Sequence, residues 1–509
     1  MSTPPKSNGK WWSTGTALAA WIALGTVLVH LATGWRYGFD RDELMALDDA
    51  RHLAWGYVQY PPMTAFLGRI ALQLFGTSLV GFRLFAALAQ AIALVLTGLM
   101  AKELGGGKWA QVVATLAGVP FCLGAGALMQ YISFDYVWWV WVSYCVLRVV
   151  KDEDSRWCLG VGVGIGLGMM AKYTMGFLVA GVLVGVLATK ARKYLRSVWM
   201  WLGVLLACTI FAPNFVWEWR RNFVSLDFLR FLHVRDVGLG LTDWFLAGQA
   251  ELTLLALPLA LAGLWFYFFT AEGRRYRILG WMYVVPLVLF VVMRGRDYYL
   301  APGYPMLYAA GAVWLECFVF RPSSLVPRHR TRNIVRLMVW LCLILDVIVA
   351  GAVALPIAPV NSRWWNFASQ VDTVFPEEIG WPEFAQSVSR VRDKLPPEER
   401  ERVGILAGNY GEVGALNLYG EKFGLPHAMS GVNSSWERGY DDPPPDVLIV
   451  VGYSREFLEQ EFASCSVAGH VRNRFNVPNE ETVEDPEIFV CRGLKETWPE
   501  FWRKARRFA

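Results

Sequence analysis

The sequence predicts a membrane-embedded all-α fold of about eleven transmembrane helices with an external amphipathic loop helix, followed by an extracytoplasmic α/β domain. Three observations predict it. Of 509 residues, 55% are hydrophobic and only 18% are charged, below the roughly one quarter expected of a soluble protein. Apolar runs recur along residues 12–356, near the roughly 20 residues that a helix needs to cross a hydrocarbon core about 30 Å thick. After Pro356 these runs stop, and Glu, Arg, Pro and Gly become frequent. The chain is therefore read as a membrane domain over 1–356 and an external domain over 357–509.

The spans are placed near 12–33, 82–101, 109–128, 134–150, 158–171, 174–189, 198–216, 244–269, 277–293, 300–319 and 334–356, the fifth being short and Gly-rich. Helices are expected because lipid offers no partner to an unpaired backbone group. Basic residues orient them. Lys6 and Lys10 precede the first span; Lys102 and Lys108, then Arg148, Lys151 and Arg156, follow the second and fourth. Lys190, Arg192, Lys193 and Arg196 follow the sixth, Arg274, Arg275 and Arg277 the eighth, and Arg321, Arg328, Arg330, Arg332 and Arg336 the tenth. With eleven spans all these loops share one side, the cytoplasm. The first span is longer than a signal core and lacks a small-x-small cleavage site, so it reads as an uncleaved anchor. The net charge of +5 reports this orientation, and no nucleic-acid partner is expected. The expected location is a bacterial inner membrane, with the N-terminus cytoplasmic and the C-terminal domain outside.

In that outer domain VGILAG (403–408), DVLIVVGY (446–453) and EIFVCRG (487–493) read as strands, and GEVGALNLYGEKFG (411–424) and REFLEQEF (455–462) as helical stretches. Short apolar runs alternating with helical patterns indicate a small α/β domain. Six cysteines (122, 145, 158, 208, 317 and 342) lie in spans and read as inert packing residues. Cys465 and Cys491 are the two in the outer domain; an oxidising compartment permits them to pair.

Polar groups collect on the external face. YGFDRDELMALDDARHLAWGYVQYPPM (37–63) follows the first span. Its helical pattern starts at Asp42, where Asp42 and Glu43 suit the positive end of a helix dipole. Asp48 and Asp49 read as the wet face of that helix, and His52 as a lone helix-face residue. Trp55, Tyr57, Tyr60 and Pro61-Pro62 suit a segment at the lipid interface. Asp135 opens the fourth span and Lys172 follows the fifth. Arg294, Arg296, Tyr298 and Tyr299 lie between the ninth and tenth. Ionisable groups at membrane depth are costly and mark function or a partner; Asp135 paired with Lys172 or capping its helix is the structural alternative, and Arg294 and Arg296 are equally suited to snorkelling.

Carboxylates, cations, Tyr hydroxyls and an aromatic interface segment together suit a lipid-linked sugar phosphate. Cations hold the phosphate as it leaves, and one carboxylate serves as general base on an acceptor hydroxyl. No acid is needed for so good a leaving group, unlike the carboxyl pair of a glycoside hydrolase.

The motifs FDRDEL…ARHLAWGY…YPPM resemble the first external loop of the polytopic GT-C glycosyltransferases, and most closely the family 39 group, kin to protein O-mannosyltransferases and lipid A aminoarabinose transferases. That family begins an amphipathic loop helix with an Asp-Glu pair, here Asp42–Glu43, and follows it with a His-Pro-Pro-like turn, here Tyr60-Pro61-Pro62. SFDYVWWVWVSY resembles the family's Ser-x-Asp (Asp135), GLGMMAKYTMGF its Gly-Leu…Lys-Tyr element (Lys172), and RDYYLAPGYPML its Tyr-x-x-Pro element (Tyr298, Tyr299, Pro302). The ordered set covers residues 12 to about 320. The resemblance implies a GT-C fold and an inverting transferase that moves a sugar from a polyprenyl-phosphate donor to an envelope lipid, glycan or protein hydroxyl. It implies Asp42 as base with Glu43 beside it, and Asp40 as a rival. It implies Asp135 as a positioning acid, and Lys172, Arg294 and Arg296 on the donor phosphate, with Tyr60, Tyr298 and Tyr299 in substrate contact. No cofactor is required and a divalent cation is allowed, although no ligand cluster shows metal-site spacing. A transporter or flippase of lipid-linked sugar is the runner-up. Against it stand the lack of an internal repeat and the clustering of charges at the external boundary, since transporters carry charges near the midplane of paired halves. A third reading is a catalytically inactive scaffold whose external domain binds glycan or a partner.

Overall fold

The computed structural model describes residues 14–320 and 329–509. Lys6, Lys10, Arg321 and Arg328, which helped to orient the chain, lie outside the described residues. All eleven apolar runs coincide with helices. The first helix, α1 (Gly15–Thr33), is followed by the loop helices α2 (Arg41–Arg51) and α3 (Met63–Phe75). Then come α4 (Leu79–Glu103), α5 (Lys108–Ala125), α6 (Tyr131–Asp152), α7 (Trp157–Ala171) and α8 (Met175–Ala188). Next are α9 (Val198–Arg220), α10 (Val224–Gly238), α11 (Phe245–Thr253), α12 (Leu257–Phe269), α13 (Arg277–Val292), α14 (Tyr304–Leu315) and α15 (His329–Ala354). Among the described residues six helical segments are long and apolar enough to cross a membrane, or seven if α8 and the bent segment after it form one. The others among the eleven are shorter or carry more polar residues.

Helix α4 is central and packs against α1, α5, α6 and α14. Large apolar side chains on α9 and α15, such as Leu205, Leu337 and Ile348, face outward, as expected of a lipid-contacting rim. The Gly-rich α7 has a packing reason. A Cβ at Gly162 would lie 2.1 Å from the backbone oxygen of Gly203, so α7 and α9 meet backbone to backbone, a small-residue contact typical of membrane helices. Cys122, Cys145 and Cys158 are buried as expected; Cys208 and Cys317 instead are exposed, since they sit on outward faces.

The C-terminal part begins with α16 (Arg363–Val371), α17 (Val374–Glu377), α18 (Trp381–Asp393) and α19 (Pro397–Arg400). A five-stranded sheet follows: β1 (Val403–Ala407), β2 (Ala428–Met429), β3 (Val447–Val451), β4 (Phe462–His470) and β5 (Glu487–Leu494), in the order β2-β1-β3-β5-β4. β1 pairs in parallel with β2 and β3, while β5 runs antiparallel between β3 and β4. The three predicted strands are β1, β3 and β5, and the two predicted helical stretches hold α20 (Tyr410–Tyr419) and a helix at Arg455–Glu461. A further short helix, α21, spans Asn433–Glu437. The sequence reading missed β4, an edge strand whose residues are mostly small or polar and only partly buried, and the two-residue β2. Cys465 and Cys491 face each other across β4 and β5 and are joined by a disulfide.

Candidate active site

Helix α2 begins at Arg41, one residue before its helical pattern indicates. Asp40 is its N-cap: the Asp40 carboxylate accepts the Asp42 N–H at 2.8 Å, while Glu43 accepts the Asp40 N–H at 3.1 Å. This reciprocal cap satisfies two orphan donors. Asp40 is 3% exposed; burial, then Asp42, Glu43 and Glu378, push its carboxyl well above the usual range. Asp40, the rival base, is thereby committed to starting the helix.

Glu43 turns inward. It is fully buried and takes Arg83 Nη2 at 2.6 Å, Arg83 Nε at 3.0 Å and the Met129 N–H at 2.8 Å. It ties α2 to α4 and to the segment just before α6. Asp42 points the other way and is half-buried. Gln130 Nε2 donates to its Oδ2 at 3.3 Å. Burial raises its carboxyl; Arg41 and a hydrogen bond from Tyr410 pull it down, and Glu43 raises it further.

Asp48 and Asp49 correct the sequence reading. They are 3% and 1% exposed rather than a wet face. Arg438, just past α21, bonds to both carboxylates. Asn417 of α20 donates to Asp48 at 3.1 Å and the Tyr60 hydroxyl donates to Asp49 at 2.6 Å. Burial pushes the Asp49 carboxyl up to about 6, against Arg438 and Tyr60. Tyr57 and Tyr60 are likewise buried and not at a lipid interface; Trp55 is 51% exposed. His52 caps the end of α2, with Nδ1 2.9 Å from the Asp48 carbonyl oxygen.

The remaining predicted groups converge. Lys172 occupies the break between α7 and α8, with extended backbone (φ −158°). Its ammonium lies 4.3 Å from the ring centre of Tyr299, 5.1 Å from that of Tyr298 and 5.2 Å from that of Tyr131. Tyr298 and Tyr299 belong to the turn Asp297–Gly303 between α13 and α14. Among the described residues no carboxylate comes within ion-pair distance of Lys172, so aromatic faces hold this cation. Asp135 is buried, accepts the Thr174 hydroxyl at 2.8 Å and interacts electrostatically with Lys172. Tyr131 links the two halves: it stacks on Tyr60 at 5.7 Å and is electrostatically coupled to Asp42.

The two arginines divide. Arg296 is half-buried and acts electrostatically on Lys172 and Tyr131, with a bidentate bond to Asp236 at 2.7 and 2.9 Å. Arg294 lies at positive φ (48°) on the exposed surface, 2.5 Å from Asp243, and is not brought into the cluster. Sequence reasoning missed Gln130, Tyr131, Arg83, Arg438 and Tyr410. The D-x-x-E spacing of Asp40 and Glu43 was a legible capping signal; the others act across long sequence separations. Among the described residues no three His, Cys, Asp or Glu side chains form a group that could hold a metal ion.

Comparisons with known proteins agree with this architecture. The family model for dolichyl-phosphate-mannose-protein mannosyltransferases matches residues 59–217. Undecaprenyl phosphate-alpha-4-amino-4-deoxy-L-arabinose arabinosyl transferase 1 of Pseudomonas fluorescens is 26% identical over 266 residues, 47% of this chain and 46% of that protein. The matched region thus spans about half the length of that relative. Among solved structures, ArnT from Cupriavidus metallidurans in the apo state superposes with a TM-score of 0.59 at 16% identity, covering 93% of this chain and 97% of that one. Its undecaprenyl-phosphate-bound form gives 0.56 at 15% identity, with the same coverage. The chain is a polytopic membrane protein with a GT-C fold, related to the aminoarabinose transferases and to the protein mannosyltransferases.

Proposed function

We propose that this protein is a glycosyltransferase that moves a sugar from a polyprenyl-phosphate donor to an acceptor hydroxyl at the external membrane face, with inversion. The observation that supports it most is that two adjacent residues reach both groups: Gln130 bonds Asp42 of α2 at 3.3 Å, and the Tyr131 ring centre lies 5.2 Å from the Lys172 ammonium of the α7–α8 break. A carboxylate and a cation in one half-buried cluster suit the two ends of the reaction. Asp42 takes the acceptor hydroxyl proton. The hydroxyl oxygen attacks the anomeric carbon from the face opposite the phosphate, the bond from that carbon to the phosphate oxygen breaks, and the phosphate leaves with the electron pair. Lys172 takes the growing negative charge, with Arg296 behind it. The burial that raises Asp42 makes it a stronger base than a solvated aspartate.

The other roles follow from position. Asp135 and Thr174 hold the segment that bears Lys172. Glu43, through Arg83, fixes the pitch of α2, and Tyr60 backs Tyr131. In this reading the basic loops around Lys102, Lys151 and Lys193 are cytoplasmic, and residues 357–509 are an external domain. The undecaprenyl phosphate named for the Cupriavidus protein and the arabinose derivative named for the Pseudomonas protein define the first donors to try.

The test is transfer from radiolabelled undecaprenyl-phosphate sugars to an envelope extract, with protein in nanodiscs. Asp42→Asn is expected to abolish transfer while retaining donor binding; Asp40→Asn is expected to lower stability first. Donor flipping in sealed vesicles without transfer by the wild type would overturn the reading.

A further inference from the structure

Helix α9 belongs to the rim, and most of its length shows large apolar side chains to the outside. Its buried residues are Gly203, Asn214, Trp217 and Glu218. Gly203 is accounted for by the contact with α7. Asn214 and Glu218 stand four residues apart on one face of the other end. A carboxyl group buried on a lipid-facing helix is costly to keep there and marks function or a partner.

Both side chains have partners on two other elements. On one side, the Tyr173 hydroxyl lies 3.1 Å from Asn214 Oδ1 and 3.0 Å from Glu218 Oε1. Tyr173 directly follows Lys172 in the break between α7 and α8. On the other side, Asn214 Nδ2 donates to the Trp55 carbonyl oxygen at 2.8 Å. Ser225, near the start of α10, gives Glu218 its N–H at 3.3 Å and its hydroxyl at 2.5 Å. The same hydroxyl lies 3.1 Å from the Tyr57 carbonyl oxygen. Trp55 and Tyr57 belong to the loop between α2 and α3. A Cβ at Gly56, between them, would fall 2.8 Å from Asn214 Nδ2 and 2.5 Å from Trp217 Cε3; only glycine lets the loop lie so close to α9. One polar node on α9 therefore joins the break that bears Lys172 to the loop behind the helix that bears Asp42.

The break depends on such ties. Lys172 has extended backbone, so no continuous helix sets its direction. Two side chains hold the residues that follow it: Thr174 bonds Asp135 at 2.8 Å, and Tyr173 bonds the node.

We propose that Glu218 is a positioning residue: through Tyr173 it fixes the backbone beside Lys172, and so sets where that ammonium meets an anionic phosphate. The proposal rests on the reading of Lys172 as the cation for the donor phosphate, and deepens it by adding a support from α9.

The test is equilibrium binding of radiolabelled undecaprenyl phosphate to full-length protein in nanodiscs. Tyr173→Phe removes only the hydroxyl and is expected to weaken binding about tenfold, the loss that follows from one hydrogen bond to a charged group. Glu218→Ala should weaken it as much or more. The double variant should be within about twofold of Glu218→Ala, because the two residues act through one bond. Glu218→Gln still accepts from both hydroxyls, and should recover affinity to within about threefold of wild type. Arg221→Gln breaks an ion pair with Glu437 at the same end of α9 and should leave affinity within about twofold, as expected of an exposed pair. Unchanged affinity in Tyr173→Phe, additive losses in the double variant, or an equal loss in Arg221→Gln overturns the positioning role. The expected pattern in a protein that transfers no sugar supports this role while overturning the transferase reading. A wild type that does not bind undecaprenyl phosphate overturns both.

Discussion

The Lys172 ammonium lies 4.3 Å from the centre of the Tyr299 ring, held by aromatic faces where an ion pair would otherwise be expected. A cation so placed keeps its charge available to an incoming anion. Lys172→Met is expected to raise the donor KM by about tenfold to a hundredfold, the range of one lost charge-assisted hydrogen bond. Transfer kinetics across donor concentrations check this; a donor KM within about twofold of wild type refutes it.

Arg294 and Arg296 are two residues apart yet predict different outcomes. Arg294 and Asp243 are each about half exposed, at 50% of the side chain, and such pairs contribute about 0–1 kcal/mol. Arg294→Ala should leave transfer within about twofold. Arg296 is anchored by Asp236 beside the tyrosines, and Arg296→Ala should lower kcat/KM by about tenfold or more, in line with loss of a bond to a charged group. The same kinetic measurements on both variants decide it.

Arg83 compensates Glu43 and also reaches Glu378 at 3.6 Å. Removing one partner of a buried pair strands the other charge, at a cost of about 3–5 kcal/mol. Arg83→Met should therefore lower the thermal midpoint in detergent by several degrees, whatever its effect on transfer. An unchanged midpoint would show that α2 is held by other contacts.

Arg438→Gln leaves Asp48 and Asp49 buried side by side without their cation. The expected result is faster amide exchange in α2, α20 and α21, followed by mass spectrometry, with the strands β1 and β3 unchanged. Uniform exchange across all these segments in the variant and wild type counts against the clamp.

Stability should fall as pH rises from about 4.5 to about 8. Burial pushes the carboxyls of Glu378 and Glu481 up to about 8, with Glu43 and Asp372 adding to the first and Glu412 and Glu377 to the second. In this window the folded chain keeps protons that the unfolded chain has released, so the stabilisation present at low pH is lost as pH passes the folded value. Thermal midpoints between pH 5 and 9 measure the slope. Glu378→Gln with Glu481→Gln should flatten it, and a slope unchanged in that double variant refutes the assignment.

Much of the architecture is written in local pattern. Each of the eleven apolar runs falls on helix, as expected where a segment in lipid must satisfy its backbone within itself. Alternating short runs placed β1, β3 and β5. Lys172, Tyr298 and Tyr299 were legible one by one, since charge and tyrosine at span ends stand out against apolar neighbours; Tyr131, the third ring around Lys172, was not. Tertiary structure alone decided which of them meet. Asp48 and Asp49 have the composition of a solvated face, and only Arg438, some 390 residues away, makes them buried anchors. Asp42 and Glu43 are adjacent in sequence, yet one faces Gln130 and Tyr131 while the other faces Arg83. The Cys465–Cys491 disulfide and the approach of Tyr410 to Arg41 likewise depend on how residues 357–509 fold and dock. Periodicity and helix dipoles act within a few residues and are visible in the chain; pairing between buried charges is set by packing across hundreds of residues, and no spacing rule encodes it.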